Sequence, residues 1–261
     1  MRLYDFAYHP QNKGWLDQVV NQASREPWGP ENKILEIYLQ TNFEIIWEQK
    51  KVYQDWEKGE AFWRAGNLVN NVATPLWLVY KPNQVPNRQP WSFERVIVGQ
   101  PPSLTVQRPT IQYDQLIFES EWSLNQDHSN LDHIFEKNSS RLKDVFQVAL
   151  GGQFNEHIVL RTVYAEMDFK RKQGIVQTQW YKNYQFLMPL YLTQPNHVDL
   201  VAALQPVPEK QCYIVRTLLS PRYAYAKARA VVRGRDMLPN WLYLSDEELN
   251  QPFLMDFNEE Q

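Results

Sequence analysis

The chain changes from helical to strand-like periodicity twice along its length. Apolar residues first recur at helical spacing, and short segments rich in aromatic and β-branched residues follow. A second set of helical and then strand-like segments comes next, and a last helix opens at Pro221. Because helices and strands do not alternate one by one, this order predicts an α+β fold rather than a doubly wound parallel sheet. We expect mixed, mainly antiparallel sheets with helices packed on one side.

The predicted elements have definite bounds. We expect helices over residues 15–25, 31–51, 130–150, 154–169 and 221–233, with a strand as the alternative for 154–169. We expect strands over residues 62–68, 76–80, 93–98, 111–118, 175–181, 184–192, 198–204 and 212–218. No linker separates two cores and no internal repeat is evident, so residues 1–245 are predicted to form a single domain. Residues 246–261 are predicted to be an acidic, loosely attached C-terminal tail.

Cysteine content and apolar runs restrict the location and the class of protein. Cys212 is the only cysteine, which excludes an intramolecular disulfide and a zinc site with several cysteine ligands. The N-terminus has no apolar run typical of a secretory signal, and the longest apolar stretches fall far short of the roughly 20 residues that span a bilayer. We therefore expect a cytoplasmic protein without membrane contact. Walker, dinucleotide-binding, nucleophile-elbow and zincin motifs are missing, and no particular cofactor is indicated.

Charge is unevenly distributed along the sequence. The whole chain carries a formal net charge of −3, yet residues 161–235 contain twelve basic and four acidic residues, a net charge of +8. After Arg235 there are seven acidic residues and no lysine or arginine. Segregation of this kind is informative about partners, and a basic region favours a polyanion.

The last predicted helix carries an arginine stripe. At 100° per residue, Arg229 and Arg233 each fall within about 20° of Arg222, and Tyr225 lies at the edge of the stripe. Small apolar residues occupy the opposite face. We expect the stripe to face outward, with its guanidinium groups on phosphate oxygens and Tyr225 stacked on a base. The alternative is that these arginines pair with the chain's own acidic residues.

A basic triplet at the end of a predicted helix is a weaker candidate for phosphate binding. Arg171 and Lys172 belong to a basic triplet at the end of a helix, where cations are usually solvated and favoured by the helix dipole. The triplet contributes to phosphate binding only if the fold places it beside the arginine stripe.

A histidine-containing segment lies where the 130–150 helix begins. His133 could act as an acid or base near neutral pH, with Asn130 and Asp132 beside it. The alternative is a capping cluster in which Ser129 or Asn130 is the N-cap. His128 and His133 do not have the spacing of a helical metal pair, so we predict no metal site.

Several segments, in this order, resemble a bacterial family known as domain-of-unknown-function family 3825. They are Leu3-Tyr4-Asp5-Phe6-Ala7-Tyr8, Asn130-Leu131-Asp132-His133-Ile134 with Asn138 and Arg141 after it, 186–192, Ala224-Tyr225, Ala228-Arg229 and Trp241-Leu242. The resemblance covers nearly the whole chain. Relatives of this kind also occur fused to RNA-binding OST-HTH (LOTUS) modules, which implies a connection with RNA by association. The family tends to carry asparagines where Ala226 and Lys227 stand, and Asn-Thr before the glycine that is Gly66 here.

Three functional hypotheses follow. The first is an RNA- or nucleotide-phosphate-binding domain that uses Arg222, Tyr225, Arg229 and Arg233, with Arg141 in support. The second is an enzyme acting on a nucleotide or RNA phosphate with His133 as acid or base and the arginines stabilising developing charge. The third is a non-enzymatic subunit that engages a protein partner. RNA, a nucleotide or a protein is therefore the expected partner.

Overall fold

A computed structural model describes residues 1–10, 14–99, 117–125, 128–149, 155–232 and 234–250. Within these ranges the chain has an α+β fold with two mixed five-stranded sheets, which confirms the predicted fold class. The helices are α1 Leu3–Phe6, α2 Trp15–Gln22, α3 Lys33–Glu48, α4 His128–Ala149, α5 Glu156–Gln173, α6 Pro221–Arg229 and α7 Asp246–Asn250. The strands are β1 Ala7–Tyr8, β2 Tyr53–Asp55, β3 Glu60–Val69, β4 Pro75–Pro82, β5 Trp91–Val98, β6 Ser123–Leu124, β7 Gln177–Tyr181, β8 Asn183–Leu190, β9 Leu200–Val207 and β10 Cys212–Leu219.

The described residues group into two compact units. Unit 1 contains residues 1–99, the segment from Arg229 to Met237, and α7. Unit 2 contains residues 117–228 and 238–245. The chain therefore returns to unit 1 at the last residue of α6. The prediction that residues 1–245 form a single domain stays a prediction.

Unit 1 is built on a sheet with the order β1-β5-β4-β3-β2. The short strand β1 pairs in parallel with β5, with Ala7 opposite Trp91 and Tyr8 opposite Ser92, and the other neighbours pair antiparallel. Helix α2 packs on β5 and helix α3 packs on β3. Most residues of β3 and β4 are buried, which fits their content of aromatic and branched apolar side chains.

Unit 2 is built on a sheet with the order β6-β10-β9-β8-β7. Strand β6 pairs in parallel with β10, and the other neighbours pair antiparallel. Helix α4 packs on β10 and helix α5 packs on β8. The core beneath these helices includes Phe186, Met188 and Tyr213 from the sheet, with Ile134 and Val163 from the helices.

The two units share one topology. In the described residues of each unit, a short strand, which α1 precedes in unit 1, is followed by two helices and a four-stranded antiparallel meander whose last strand pairs in parallel with the short strand. In both units the first of these helices packs on the last strand and the second packs on the second meander strand. The chain thus contains a repeat of topology. No repeat is evident in the sequence, because two segments can share a topology through matching periodicity without sharing residues.

Most predicted elements are confirmed, but some helices begin or end at residues other than those predicted. Helix α4 begins at His128, so the prediction of Ser129 or Asn130 as its N-cap is wrong and both residues lie inside the helix. Helix α6 ends at Arg229, four residues before the predicted end. The predicted strand 111–118 falls almost entirely outside the described residues. None of the helices in the described ranges is long and apolar enough to cross a membrane.

The beginning of the acidic tail is packed rather than loosely attached. Residues Asp246–Asn250 form α7, and Leu249 is fully buried. Asp246 also lies 3.6 Å from a guanidinium nitrogen of Arg235. The apolar side chain of Leu249 explains the error, because its burial offsets the charge repulsion expected among the neighbouring acids. Residues 251–261 lie outside the described part of the chain.

Candidate functional site

Arg229, the central residue of the predicted stripe, is buried. Its side chain is 5% exposed, and its Nε and Nη2 atoms donate hydrogen bonds to the two carboxylate oxygens of Glu26 at 2.9 and 3.0 Å. Nη1 donates to the carbonyl oxygen of Val232 at 3.1 Å. The prediction that Arg229 faces outward for phosphate binding is therefore wrong. A bidentate carboxylate within the same chain takes the place of the expected phosphate.

Tyr225 is also unavailable for stacking on a base. It is fully buried, as are the small residues around it in α6, and Lys227 is only 6% exposed. The helical wheel assumed one buried and one solvent-exposed face, whereas residues 224–230 are buried on every side. Arg222 is half-buried, and Arg233 lies outside the described residues. The predicted stacking role of Tyr225 is wrong for the same reason.

The basic triplet at the end of α5 is engaged within unit 2. Arg171 is buried and donates to Asp168 and to the carbonyl oxygen of Ser120. Lys172 is exposed, but its Nζ lies 2.6 Å from Asp168. Hydrogen bonds from Lys172 and Arg171 lower the pKa of the Asp168 carboxyl. The predicted phosphate-binding role of Arg171 is wrong because the side chain holds the backbone around Ser120, while that of Lys172 stays a prediction.

Asn138 and Arg141 connect α4 to the end of β10. Asn138 is fully buried, and its Oδ1 lies 3.3 Å from the Thr217 hydroxyl. Arg141 Nη1 donates to the carbonyl oxygen of Leu218 at 2.6 Å and to Asn138 Oδ1 at 3.1 Å. These bonds fix the chain just before α6 begins, so the role of Arg141 visible here is structural.

The residues predicted around the start of α4 remain untested. The backbone of Asn130, Asp132 and His133 lies in α4, and their side chains are outside what the structure describes. An enzymatic role for His133 therefore stays a prediction, as does a protein partner. In the described part of the chain, no group of three or more His, Cys, Asp or Glu residues is arranged to hold a metal ion.

Unit 1 contains a buried polar group that the sequence analysis missed, which we call the Tyr38 cluster. It comprises Tyr38 and Asn42 from α3, Gly66 and Asn67 from β3, and the Glu26–Arg229 pair. The Tyr38 hydroxyl accepts a hydrogen bond from the Asn67 backbone N–H at 2.8 Å, and the Arg229 guanidinium carbon lies 5.4 Å from the Tyr38 ring centre. Burial raises the pKa of Tyr38, and the charge of Arg229 opposes this effect.

Gly66 allows the Tyr38 cluster to close. The strand pairing shifts register between Arg64 and Val69, and Gly66 lies in this irregular segment with φ +57°. A Cβ atom at Gly66 would lie 2.6 Å from the Tyr38 hydroxyl and closer still to Asn42 Oδ1. Only glycine satisfies both the left-handed conformation and this close approach of strand to helix.

Unit 1 also contains an open cleft of about 1160 Å³, which we call the tyrosine cleft. Tyr4 and Tyr8 line it and are 36% and 40% exposed. Buried His9 and Trp15 also line it, with ring centres 4.5 Å apart, and the His9 ring meets the Tyr4 ring edge-on at 5.4 Å. Charged residues complete the lining: Asp17, Glu31, Lys33, Glu36 and Arg88. The cleft therefore combines accessible aromatic rings with charges of both signs.

Helix α3 begins beside this cleft in a strained conformation. Glu31 and Asn32 are successive non-glycine residues with φ of 53° and 58°. Asn32 Nδ2 donates to Asp17 Oδ1 at 2.8 Å, and Lys33 Nζ lies 3.0 Å from Glu36. Left-handed conformations cost on the order of 1 kcal/mol each for such residues, and strain of this kind is concentrated at functional sites.

His9 is held neutral by its surroundings. Its Nδ1 lies 3.0 Å from the Ala7 carbonyl oxygen and so carries the hydrogen, while Nε2 accepts from the Tyr80 hydroxyl at 3.3 Å. The Tyr80 oxygen accepts in turn from Trp63 Nε1 at 3.0 Å. Burial lowers the pKa of His9 to about 4, against a weaker opposing effect of the Ala7 carbonyl. His9 is therefore part of a satisfied, rigid floor rather than an acid or base at neutral pH.

We expect the free energy of unfolding to fall as the pH drops from 6.5 towards 4. The unfolded chain protonates His9 near its ordinary pKa of 6.5, whereas the folded chain does so only near 4. The unfolded state therefore binds more protons across this window, and about 3 kcal/mol of stability is lost by the time the pH has passed below 4.

Urea unfolding of the native chain and of His9→Gln at several pH values between 7 and 4 would measure this contribution. Carboxyl groups titrate in both proteins, so the difference between the two pH profiles isolates His9. Parallel profiles would show that His9 is not the buried neutral group described above.

The fold defines an α+β protein with two units of equivalent topology. The first unit contains both the Tyr38 cluster and the tyrosine cleft. The model of the family described as a domain of unknown function, DUF3825, matches residues 19–237. The chain therefore belongs to this family, as its sequence segments indicated. No curated protein and no solved structure matches the chain. Tyr4, Tyr8, His9 and Trp15 precede the matched range, whereas the Tyr38 cluster lies within it.

Proposed function

We propose that this protein binds a nucleotide, either free or within RNA, and that the base lies in the tyrosine cleft. The observation that supports this most is that Tyr4 and Tyr8, which are 36% and 40% exposed, line a cleft together with the buried residues His9 and Trp15. Stacking on an aromatic ring suits every base, because each has a π-face. The single buried free thiol, Cys212, fits a reducing compartment, and we propose a cytoplasmic location.

A nucleotide has a chemical group for each kind of residue in the cleft. The base stacks on the tyrosine rings, and ribose hydroxyl groups donate to exposed carboxylates such as Glu31. A phosphate is attracted by Lys33 and by the exposed guanidinium of Arg88. With three acids and two bases lining the cleft, phosphate attraction contributes little and stacking contributes most.

This proposal differs from the arginine-stripe hypothesis in its salt dependence. For single strands, the slope of log affinity against log salt is about −0.7 for each phosphate neutralised. Two cations in the cleft give a slope no steeper than about −1.4. Binding through a row of arginines and lysines would give a considerably steeper slope.

Replacement of Tyr8 by alanine is expected to weaken nucleotide binding about 5- to 150-fold, because one stacked base contributes about 1–3 kcal/mol. Isothermal titration with the four ribonucleoside monophosphates measures this loss. Phe169→Ala is the matched control, since Phe169 is an exposed aromatic residue of unit 2, next to the basic triplet. Equal affinity of the native chain and Tyr8→Ala, or a loss in Phe169→Ala alone, would overturn the proposal.

A further inference from the structure

Gln89 lines the tyrosine cleft with a hydrogen-bonding group that the fold leaves unused. It follows Arg88 in the loop between β4 and β5 and is half-buried. Its side-chain oxygen, Oε1, is buried and accepts no hydrogen bond within the described part of the chain. A buried acceptor without a donor is unfavourable, so a ligand that brings an N–H group to Gln89 gains more than one that brings another acceptor.

The loop that carries Gln89 is closed by its own hydrogen bonds. The Asn83 N–H donates to the carbonyl oxygen of Pro90 at 2.9 Å, and the Val85 N–H donates to Asn83 Oδ1 at 3.1 Å. Asn87 has φ of 59°, a turn conformation that asparagine tolerates. The loop therefore holds the Gln89 backbone in place. The last torsion of a glutamine side chain has broad minima, which lets the amide turn its oxygen towards a ligand.

The charges of the cleft favour a base that offers N–H groups and no carbonyl oxygen. Lys33 Nζ lies 3.0 Å from Glu36, so these two charges compensate each other. The other charged residues of the lining are two acids and one base, namely Asp17, Glu31 and Arg88. Carboxylates attract the N–H groups of a base and repel its carbonyl oxygens. Adenine is the only one of the four RNA bases without a carbonyl oxygen.

We infer that the tyrosine cleft selects adenine and that Gln89 is the residue that distinguishes it from the other bases. A glutamine amide fits adenine as a bidentate pair, with Oε1 accepting from the N6 amino group and Nε2 donating to N7. The same edge of guanine offers two acceptors, O6 and N7, and would leave Gln89 Oε1 without a donor. Pyrimidines have no N7. This inference rests on the proposed function, since it names the base that the cleft binds.

Isothermal titration with AMP, GMP, CMP and UMP tests the selection. We expect the native chain to bind AMP about 5- to 150-fold more tightly than each of the other three, the discrimination that one bidentate pair provides. Gln89→Leu keeps a side chain of similar size without its polar groups and is expected to remove most of this preference. Gln84→Leu is the matched control and is expected to keep it, because Gln84 is an exposed residue of the same loop that is not part of the cleft lining.

An analogue of AMP tests the contact at the level of single atoms. In 7-deaza-AMP, a C–H group replaces N7, so the bond from Gln89 Nε2 is lost while the stacking surface is retained. We expect the native chain to bind this analogue more weakly than AMP, and Gln89→Leu to bind the two equally. A side chain that only supports the loop would not produce this difference.

The outcomes separate this inference from the proposal on which it rests. Equal affinity of the native chain for the four nucleotides, or a preference for AMP that Gln89→Leu retains, refutes the role of Gln89 and leaves the cleft proposal intact. A preference for GMP that Arg88→Ala removes would also refute it, because arginine would then contact O6 and N7 of guanine. If Tyr8→Ala leaves the binding of all four nucleotides unchanged, the cleft proposal is refuted and this inference with it. Thermal unfolding of each variant confirms that the fold is retained.

Discussion

Replacement of Glu26 by alanine is expected to lower the free energy of unfolding by about 3–5 kcal/mol. The two carboxylate oxygens of Glu26 accept hydrogen bonds from Arg229, and both side chains are almost completely buried. Removal of the carboxylate leaves a guanidinium in a low-dielectric environment without its bidentate partner. The cost arises mainly from this buried charge, because Arg229 cannot lose its proton.

Urea unfolding measures this loss, and two further variants show its origin. Glu57→Ala removes an exposed acid from the same unit and is expected to change stability by less than about 0.5 kcal/mol. A double replacement, Glu26→Leu with Arg229→Met, is expected to recover much of the loss, since apolar residues of similar volume often replace a buried ion pair. A Glu26→Ala protein as stable as Glu57→Ala would show that the Glu26 carboxylate does not stabilise the buried Arg229 guanidinium.

Gly66→Ala is expected to destabilise the protein by about 2–4 kcal/mol. Two effects combine at this position. The left-handed conformation with φ +57° disfavours any residue with a Cβ atom, and the new methyl group would collide with the Tyr38 hydroxyl and Asn42. Strand β3 must therefore move away from α3, which disrupts the bond from the Asn67 backbone to Tyr38.

Gly174 provides the matched control for this substitution. It caps α5 with φ +66°, close to the value at Gly66, and a Cβ atom there would meet nothing within 4 Å. Gly174→Ala thus reports the conformational cost alone, about 1 kcal/mol. Equal losses for Gly66→Ala and Gly174→Ala in urea unfolding would show that the Tyr38 cluster tolerates an extra methyl group.

Most of the fold could be predicted from the sequence because long periodic segments report burial directly. Helices α3 and α5 and the four strands of the second meander fall within a few residues of their predicted bounds. The two-residue strands β1 and β6 were missed, since no periodicity can be read from two residues. These strands supply the parallel pairing, so the shared topology of the two units was missed with them.

The predicted site failed because a helical wheel shows which residues share a face but not what covers that face. Arg229 was correctly recognised as a residue that needs an anionic partner. Its partner, Glu26, lies 203 residues earlier in an irregular segment, and no local signal connects the two. Tyr225 was placed at an edge that the helix does not have, because α6 is buried around its second half.

The tyrosine cleft shows a different limit of sequence interpretation. Tyr4 and Tyr8 were noticed as part of a family resemblance, without a functional role. Their importance depends on exposure, and exposure follows from the way the first residues pass over α3 and β5. Two tyrosines near the start of a chain indicate a binding site only when the structure shows that they are exposed beside a neighbouring strand, here β5.

Photocrosslinking tests most directly whether the base lies in the tyrosine cleft or on the last helix. A hexanucleotide that contains 4-thiouridine is irradiated on the native protein, and the tryptic peptides that carry nucleotide are identified by mass spectrometry. We expect crosslinks in the peptide of residues 3–13, which contains Tyr4, Tyr8 and His9. Crosslinks confined to residues 223–235, with residues 3–13 unmodified, would contradict the account.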